Sequence, residues 1–129
     1  MITVVVLLLA GAALAGGHVH RVSFEMQKQH HAMVTTENEW TSCKKSLAAG
    51  DLAASGAALK GMEKALTDLE KFQPHRKKER YLEFQEQARS FKADLTKLAE
   101  AVKDKKSGEV QGLLDRIDGG CIQCHQAFR

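Results

Sequence analysis

The stretch KERYLEFQEQARSFKADLTKLAEAVK, residues 78–103, decides the fold class because its apolar residues recur at intervals of three and four. This spacing places them on one face of an α-helix, as expected for a helix that packs against a core. The apolar positions are Tyr81, Phe84, Ala88, Phe91, Leu95, Leu98 and Val102. No alternating strand pattern is found, so the sequence predicts an all-α protein.

Two helices are predicted before this one. The first runs from His18 or Val19 to Ala49, and Gly50 and Asp51 then supply a helix end and a cap for the second. The second runs from Leu52 to about Lys71, before Pro74 interrupts the pattern. Its alanines allow close approach by a neighbouring helix or a flat ligand; they are Ala53, Ala54, Ala57 and Ala58.

A fourth helix is predicted after the turn at 105–108. Its apolar face carries Val110, Leu113, Leu114, Ile117, Cys121, Cys124 and Phe128. Four helices of roughly 20–30 residues with short connections predict an antiparallel up-down-up-down four-helix bundle. A length of 129 residues, 27% charged residues and a single Pro agree with one helical domain.

The fourth helix ends in CIQCHQAFR, residues 121–129, which contains the Cys-x-x-Cys-His signature of c-type haem attachment. Cys121 and Cys124 lie on one side of a helical turn, where each thiol can add to one vinyl group of the porphyrin. His125 then supplies an imidazole to the iron. The motif therefore predicts one covalent haem c, with Cys121 and Cys124 as its attachment points and His125 as the proximal ligand.

Two other kinds of site can contain a Cys-x-x-Cys pair. A thiol–disulfide redox pair is expected near a βαβ pattern, which this sequence lacks. A structural zinc site needs a second pair of ligands, and Cys43 is the one cysteine left over. Cys43 itself is either a small core residue or a partner in an intermolecular disulfide.

Residues 1–15 form an apolar run that ends in the small-x-small sequence Ala13-Leu14-Ala15. The run is shorter than the ~20 helical residues that span a bilayer. We interpret it as a secretory signal peptide, which leaves a haem domain at 16–129, a periplasmic location and no stable membrane insertion after cleavage. No Lys or Arg precedes the run, and an uncleaved anchor is the alternative.

The net charge of +3 is too small to indicate a nucleic-acid partner, and no basic and aromatic pattern accompanies it. The run Arg76-Lys77-Lys78, with Arg80, is either a solvated loop or a docking surface for an acidic redox partner.

The C-terminal haem motif, the four helices, the signal peptide and the ending His125-x-x-Phe128-Arg129 resemble the class II cytochromes c, the cytochrome c prime family. The resemblance covers the whole of residues 16–129. It implies that Cys121 and Cys124 hold the haem and that His125 is the proximal iron ligand. It also leaves a homodimer open, since many relatives pair through their first two helices.

Members of this family differ in the sixth iron ligand, which is either a methionine of the first helix or absent, with an apolar side chain as a screen. Met33, seven residues before Trp40, matches the distal position. Met26, His30 and His31 are alternatives at this position.

Relatives also carry an Arg four residues before the distal position, where it contacts a haem propionate. Gln29 stands in that place here. The propionate partner is then Arg21, Lys28 or Arg129.

The leading functional prediction is an electron carrier, not an enzyme, that exchanges single electrons with redox partner proteins. The alternative is a haem protein that binds NO or CO at an open or apolar-screened sixth site. A peroxidase would need a distal acid or base, a role for which His30 is the candidate.

Overall fold

The computed structural model describes residues 23–128, and within this range all regular structure is helical. The helices are α1 (Phe24–Ala48), α2 (Leu52–Glu70), α3 (Tyr81–Lys103) and α4 (Ser107–Phe128), with a short 3₁₀ helix at Lys78–Arg80 before α3. The prediction of an all-α chain with four long helices is confirmed for this range. The proposed signal peptide at 1–15, the predicted start of the first helix and Arg129 lie outside it.

The helix ends follow from local capping. Ser23 Oγ accepts a hydrogen bond from the Met26 amide at 3.2 Å, which satisfies a free N–H at the start of α1. Gly50 adopts a left-handed φ of 74°, a conformation that glycine reaches without a side-chain clash. Asp51 then accepts from the Ala54 amide at 2.9 Å and caps α2, as predicted.

Three parts of the chain meet at one end of the molecule. His75, in the connection between α2 and α3, donates from Nδ1 to Gln29 Oε1 near the start of α1, at 2.8 Å. Lys77 in the same connection donates to the carbonyl of Ala127, at the end of α4, at 2.7 Å. Because short connections reverse the chain direction, this arrangement is compatible with an antiparallel up-down-up-down four-helix bundle.

The core is filled by aliphatic and aromatic side chains from all four helices, and Met62, Leu98 and Ile117 are among its most buried members. The sequence pattern overestimated burial at the start of α2. Leu52, Ala53, Ala54 and Ala57 are exposed, and Ala58 alone among the four alanines is buried. Leu52 is the first residue of its helix, so it lies at the end of the bundle where a neighbour covers less of it.

Within residues 23–128, no helix has both the length and the apolar character needed to cross a membrane.

Candidate functional site

The Cys-x-x-Cys-His motif lies on α4, which continues without a break through all three residues. Cys121, Cys124 and His125 are each half-buried. Helical spacing puts residues three and four apart on the same side, so the two thiols and the imidazole project from one side of α4. Cys124 also packs against the hydrophobic core.

The end of α4 is held firmly beside the motif. Phe128 is buried and its ring meets Phe84 of α3 edge to face, with centroids 5.2 Å apart. The Arg80 guanidinium lies 5.0 Å from the Phe128 ring centroid and donates to the Ala127 carbonyl at 3.0 Å. With Lys77, two cations therefore stabilise the negative end of the α4 dipole.

One turn before Cys121, Asp118 joins α4 to α1. Its Oδ1 accepts hydrogen bonds from Trp40 Nε1 at 2.6 Å and from Lys44 Nζ at 3.0 Å. Partial burial opposes ionisation of this carboxyl, but the hydrogen bonds from Trp40 and Lys44 prevail and lower its pKa. Asp118 is therefore ionised at neutral pH and forms a charged bridge between the two helices.

This bridge crosses a wide separation. In the part of the chain that the structure describes, no Cα atom of α1 comes within 8 Å of a Cα atom of α4, although each helix packs closely on its neighbour in sequence. Long side chains such as Trp40 and Lys44 span the distance instead. The α1–α4 side is thus the place where the backbones leave most room between adjacent helices.

The bridge also fixes which residues of α1 and α4 lie at the same level. His125 follows Asp118 by seven residues, and Met33 precedes Trp40 by seven. Seven residues are two helical turns, about 10.5 Å. Because the start of α1 and the end of α4 both contact the α2–α3 connection, both steps lead to the same end of the molecule. Met33, which is half-buried and packs against the core, therefore lies level with His125 on the facing side of α1.

The other distal candidates lie elsewhere. His30 and His31 are exposed, and the His30 ring meets His75 with centroids 5.3 Å apart. Met26 is two turns before Met33, close to the start of α1. Partial burial of His75, together with the nearby His30 and Arg76, lowers the pKa of its imidazole.

The structure describes one of the three propionate candidates. Lys28 is 4.0 Å from Glu25 and its Nζ lies 4.2 Å from the Phe24 ring centroid, so it contacts its own helix. Gln29, which replaces the Arg of the family, is buried and bonded to His75. Arg21 and Arg129 lie outside residues 23–128.

The thiols of the motif are not activated as nucleophiles. Burial, with smaller contributions from Asp118 and Cys124, raises the pKa of Cys121 to about 11, and burial raises the pKa of Cys124 as well. Disulfide oxidoreductases lower the pKa of their attacking thiol, so these values weigh against a redox pair.

Cys43 belongs to the core. It has no exposed surface, and burial raises the pKa of its thiol to about 11. An intermolecular disulfide through Cys43 would require α1 to leave the bundle, which supports the interpretation as a small core residue.

The structure does not support the alternative of a structural zinc site at the Cys-x-x-Cys pair. From residue 23 to residue 128, no group of three or more His, Cys, Asp or Glu side chains is arranged to hold a metal ion. Two clefts of about 390 and 340 Å³ run between α3 and α4, and neither is lined by Cys121, Cys124 or His125. The three motif residues therefore lie outside both of these clefts.

No protein-family model matches the sequence, and no curated protein or solved structure shows significant similarity to it. The resemblance to class II cytochromes c therefore depends on the haem motif, its C-terminal position and the helical arrangement.

Proposed function

We propose that this chain is a monohaem c-type cytochrome of the class II type, which carries single electrons in the bacterial periplasm. One observation carries the proposal: Cys121, Cys124 and His125 share a half-buried side of one continuous helix, whose bridge to α1 spans the widest separation between adjacent helices. When bound, the haem iron would alternate between Fe(III) and Fe(II), which supplies the one-electron chemistry.

The residues of this chain would act in distinct ways. Each cysteine thiol would add across one vinyl double bond of the porphyrin, so that a C–S bond would form and the thiol hydrogen would pass to the neighbouring carbon. His125 would present its imidazole to the iron, and the anchored end of α4 would hold that ring in place. Met33, level with His125 on the facing helix, would be the distal residue.

Covalent attachment can be tested in a host that matures c-type cytochromes. Wild-type protein, the C121A/C124A double variant and Cys43→Ala would be separated on a denaturing gel and stained for haem. We expect staining of wild type and of Cys43→Ala, because Cys43 is a buried core residue that is not part of the motif. We expect no staining of the double variant. Circular dichroism shows whether each variant is folded. Wild-type protein that loses its colour in acid–acetone would contradict the proposal.

Binding of NO or CO is the second candidate function, and the partial burial of Met33 against the core is what favours it. A methionine in this position could screen an apolar distal site without binding the iron. Met33→Leu and Met26→Leu distinguish the two functions. If Met33 is the sixth ligand, the ferric wild type is low-spin with a sulfur-to-iron band that only Met33→Leu removes. A high-spin wild type whose spectrum shifts with CO would instead support gas binding.

A further inference from the structure

The positive charge of this protein is concentrated in one short segment. The α2–α3 connection, residues 71–80, contains five basic residues and one acidic residue; they are Lys71, Arg76, Lys77, Lys78, Arg80 and Glu79. None of the four long helices has a net positive charge. The chain as a whole carries +3, so this connection accounts for the excess of cations.

Two of the five cations are available to a partner. Lys71 pairs with Asp68 at 3.1 Å, and Arg80 pairs with Glu83. Arg76 and Lys78 are exposed and form no salt bridge with any residue between 23 and 128.

The α2–α3 connection is held in a defined position. Pro74 is among the most buried side chains of the protein, and His75 is bonded to Gln29 of α1. Lys77 and Arg80 both donate to the carbonyl of Ala127. A cationic surface fixed in this way loses little conformational entropy when it binds.

The connection also lies next to the haem motif. Ala127, to which it is bonded, follows His125 by two residues on the same helix. The side chain of Leu82, just after the connection, is 79% exposed and adds an apolar contact beside the cations.

We propose that the α2–α3 connection is the docking surface for a redox protein whose own one-electron centre lies behind an acidic face. This proposal rests on the proposed function, because it requires a haem at the motif. Exchange between the docked proteins moves one electron, so that one centre is oxidised as the other is reduced, and no bond forms or breaks. Opposite charges on the two faces accelerate the encounter more than they tighten the complex.

An anionic membrane is the other surface that would attract these cations. Membrane-surface segments combine a cationic face with a long apolar face. The connection has no such face, since its one regular element is a three-residue 3₁₀ helix and Leu82 is the exposed apolar residue beside it. An acidic protein surface is therefore the better match.

The test compares two double variants that lose the same charge. R76Q/K78Q removes the two cations that form no salt bridge, and K103Q/K105Q removes two exposed lysines at the opposite end of α3, about 33 Å away. Flavodoxin hydroquinone, an acidic one-electron donor, would reduce the haem-loaded ferric proteins in a stopped-flow experiment at low and high salt. The cation hexaammineruthenium(II) would serve as a control reductant that a cationic docking surface does not attract.

We expect R76Q/K78Q to slow reduction by flavodoxin about three- to tenfold at low salt and to flatten its salt dependence. K103Q/K105Q should stay within about a factor of two of wild type, and hexaammineruthenium(II) should not slow with either variant. Equal slowing by both double variants, or no slowing, would overturn the proposal.

Two further outcomes would separate membrane binding, and a failure of haem attachment, from docking of a redox protein. If R76Q/K78Q loses binding to phosphatidylglycerol vesicles while its flavodoxin rate is unchanged, the surface binds membranes and the proposal is wrong. If wild-type protein carries no haem, the proposed function fails and the docking role fails with it; haem-loaded protein with unaltered rates refutes the docking role alone.

Discussion

The two sides of α1 differ in how closely a neighbouring helix approaches. On the α2 side, Gly61 lies so near that a Cβ built on it would be 2.7 Å from the Glu39 Cδ, and the buried Ala58 and Ala65 share its face of α2. On the α4 side, no Cα pair comes within 8 Å and the helices meet through the contacts of Trp40 and Lys44 with Asp118.

The contrast supports the α1–α4 side as the proposed location of the haem. Small residues let α1 and α2 approach closely, which leaves less space for a cofactor there than on the α4 side. The α1–α4 side is held apart by long polar and aromatic side chains, and it is the side towards which helical spacing directs Cys121 and His125 from Asp118. Substitutions on the α2 side and on the α4 side of α1 should therefore change the stability of the protein by different amounts.

The largest effect is expected from Trp40→Ala, which removes the main side chain between α1 and α4. Trp40 is 5% exposed, so truncation should lower the free energy of unfolding by about 3–5 kcal/mol. Trp40→Phe keeps most of the ring but loses the donor to Asp118, and should lose about 1 kcal/mol. Urea unfolding measures both. Equal losses would mean that the hydrogen bond, and not the ring, keeps the helices together.

On the narrow side, Ala58→Leu should be the next most harmful change. Ala58 is 5% exposed, and added methylenes there would force α1 and α2 apart, with a loss of about 1–3 kcal/mol. Its neighbour Ala57 is exposed, so Ala57→Leu is the matched control and should leave stability almost unchanged. Thermal unfolding of the pair tests this; a similar melting temperature for both variants would contradict close packing at Ala58.

The two glycines before the motif should respond differently to alanine. A Cβ on Gly119 meets nothing within 4 Å, so Gly119→Ala should stabilise α4 by about 0.5–1 kcal/mol through helix propensity. A Cβ on Gly120 would lie 3.3 Å from two ring carbons of Phe91, so this gain should be reduced or reversed. The denaturant midpoints of the two variants measure this difference in stability. The prediction is wrong if Gly120→Ala stabilises the protein as much as Gly119→Ala does.

The smallest effect concerns the pH dependence of the bridge. The pKa of Asp118 is lowered on folding from its ordinary value of 3.8. Its contribution to stability is therefore present above pH 3.8 and is lost as the pH falls through the lower folded value. For a half-exposed ion pair the contribution is about 1 kcal/mol or less.

Asp118→Asn isolates this contribution from those of other carboxylates. The difference in melting temperature between wild type and Asp118→Asn should be constant near neutral pH and should shrink as the pH falls through the titration of Asp118. A difference that grows with acidity would show that the carboxyl is not stabilised in its ionised form.

The helices could be predicted because their signals are local. Gly50 and Asp51 form the α1–α2 turn themselves, and Pro74 prevents a helix from continuing through the connection after α2. The periodicity of α3 needs no knowledge of its neighbours. The spacing of Cys121, Cys124 and His125 is local in the same sense, so the sequence alone predicted that the two thiols lie on one side of a helical turn and that His125 follows them directly.

The contacts between helices could not be predicted, because they join residues that are far apart in the sequence. Trp40 and Asp118 are 78 positions apart, and nothing around either residue marks the other as its partner. His75 and Gln29, which are also bonded, are 46 positions apart. The pattern could not distinguish Ala58 from Ala57 either, because the burial of a small residue depends on which helix lies against it.

The decisive experiment on haem attachment is the mass of the tryptic peptide 117–129 from protein matured in a host that attaches c-type haem. Cleavage after Arg116 releases this peptide with both motif cysteines and His125. We expect the peptide mass plus one haem, with no free thiol at Cys121 or Cys124. An unmodified peptide, or one whose cysteines form a disulfide, would contradict it.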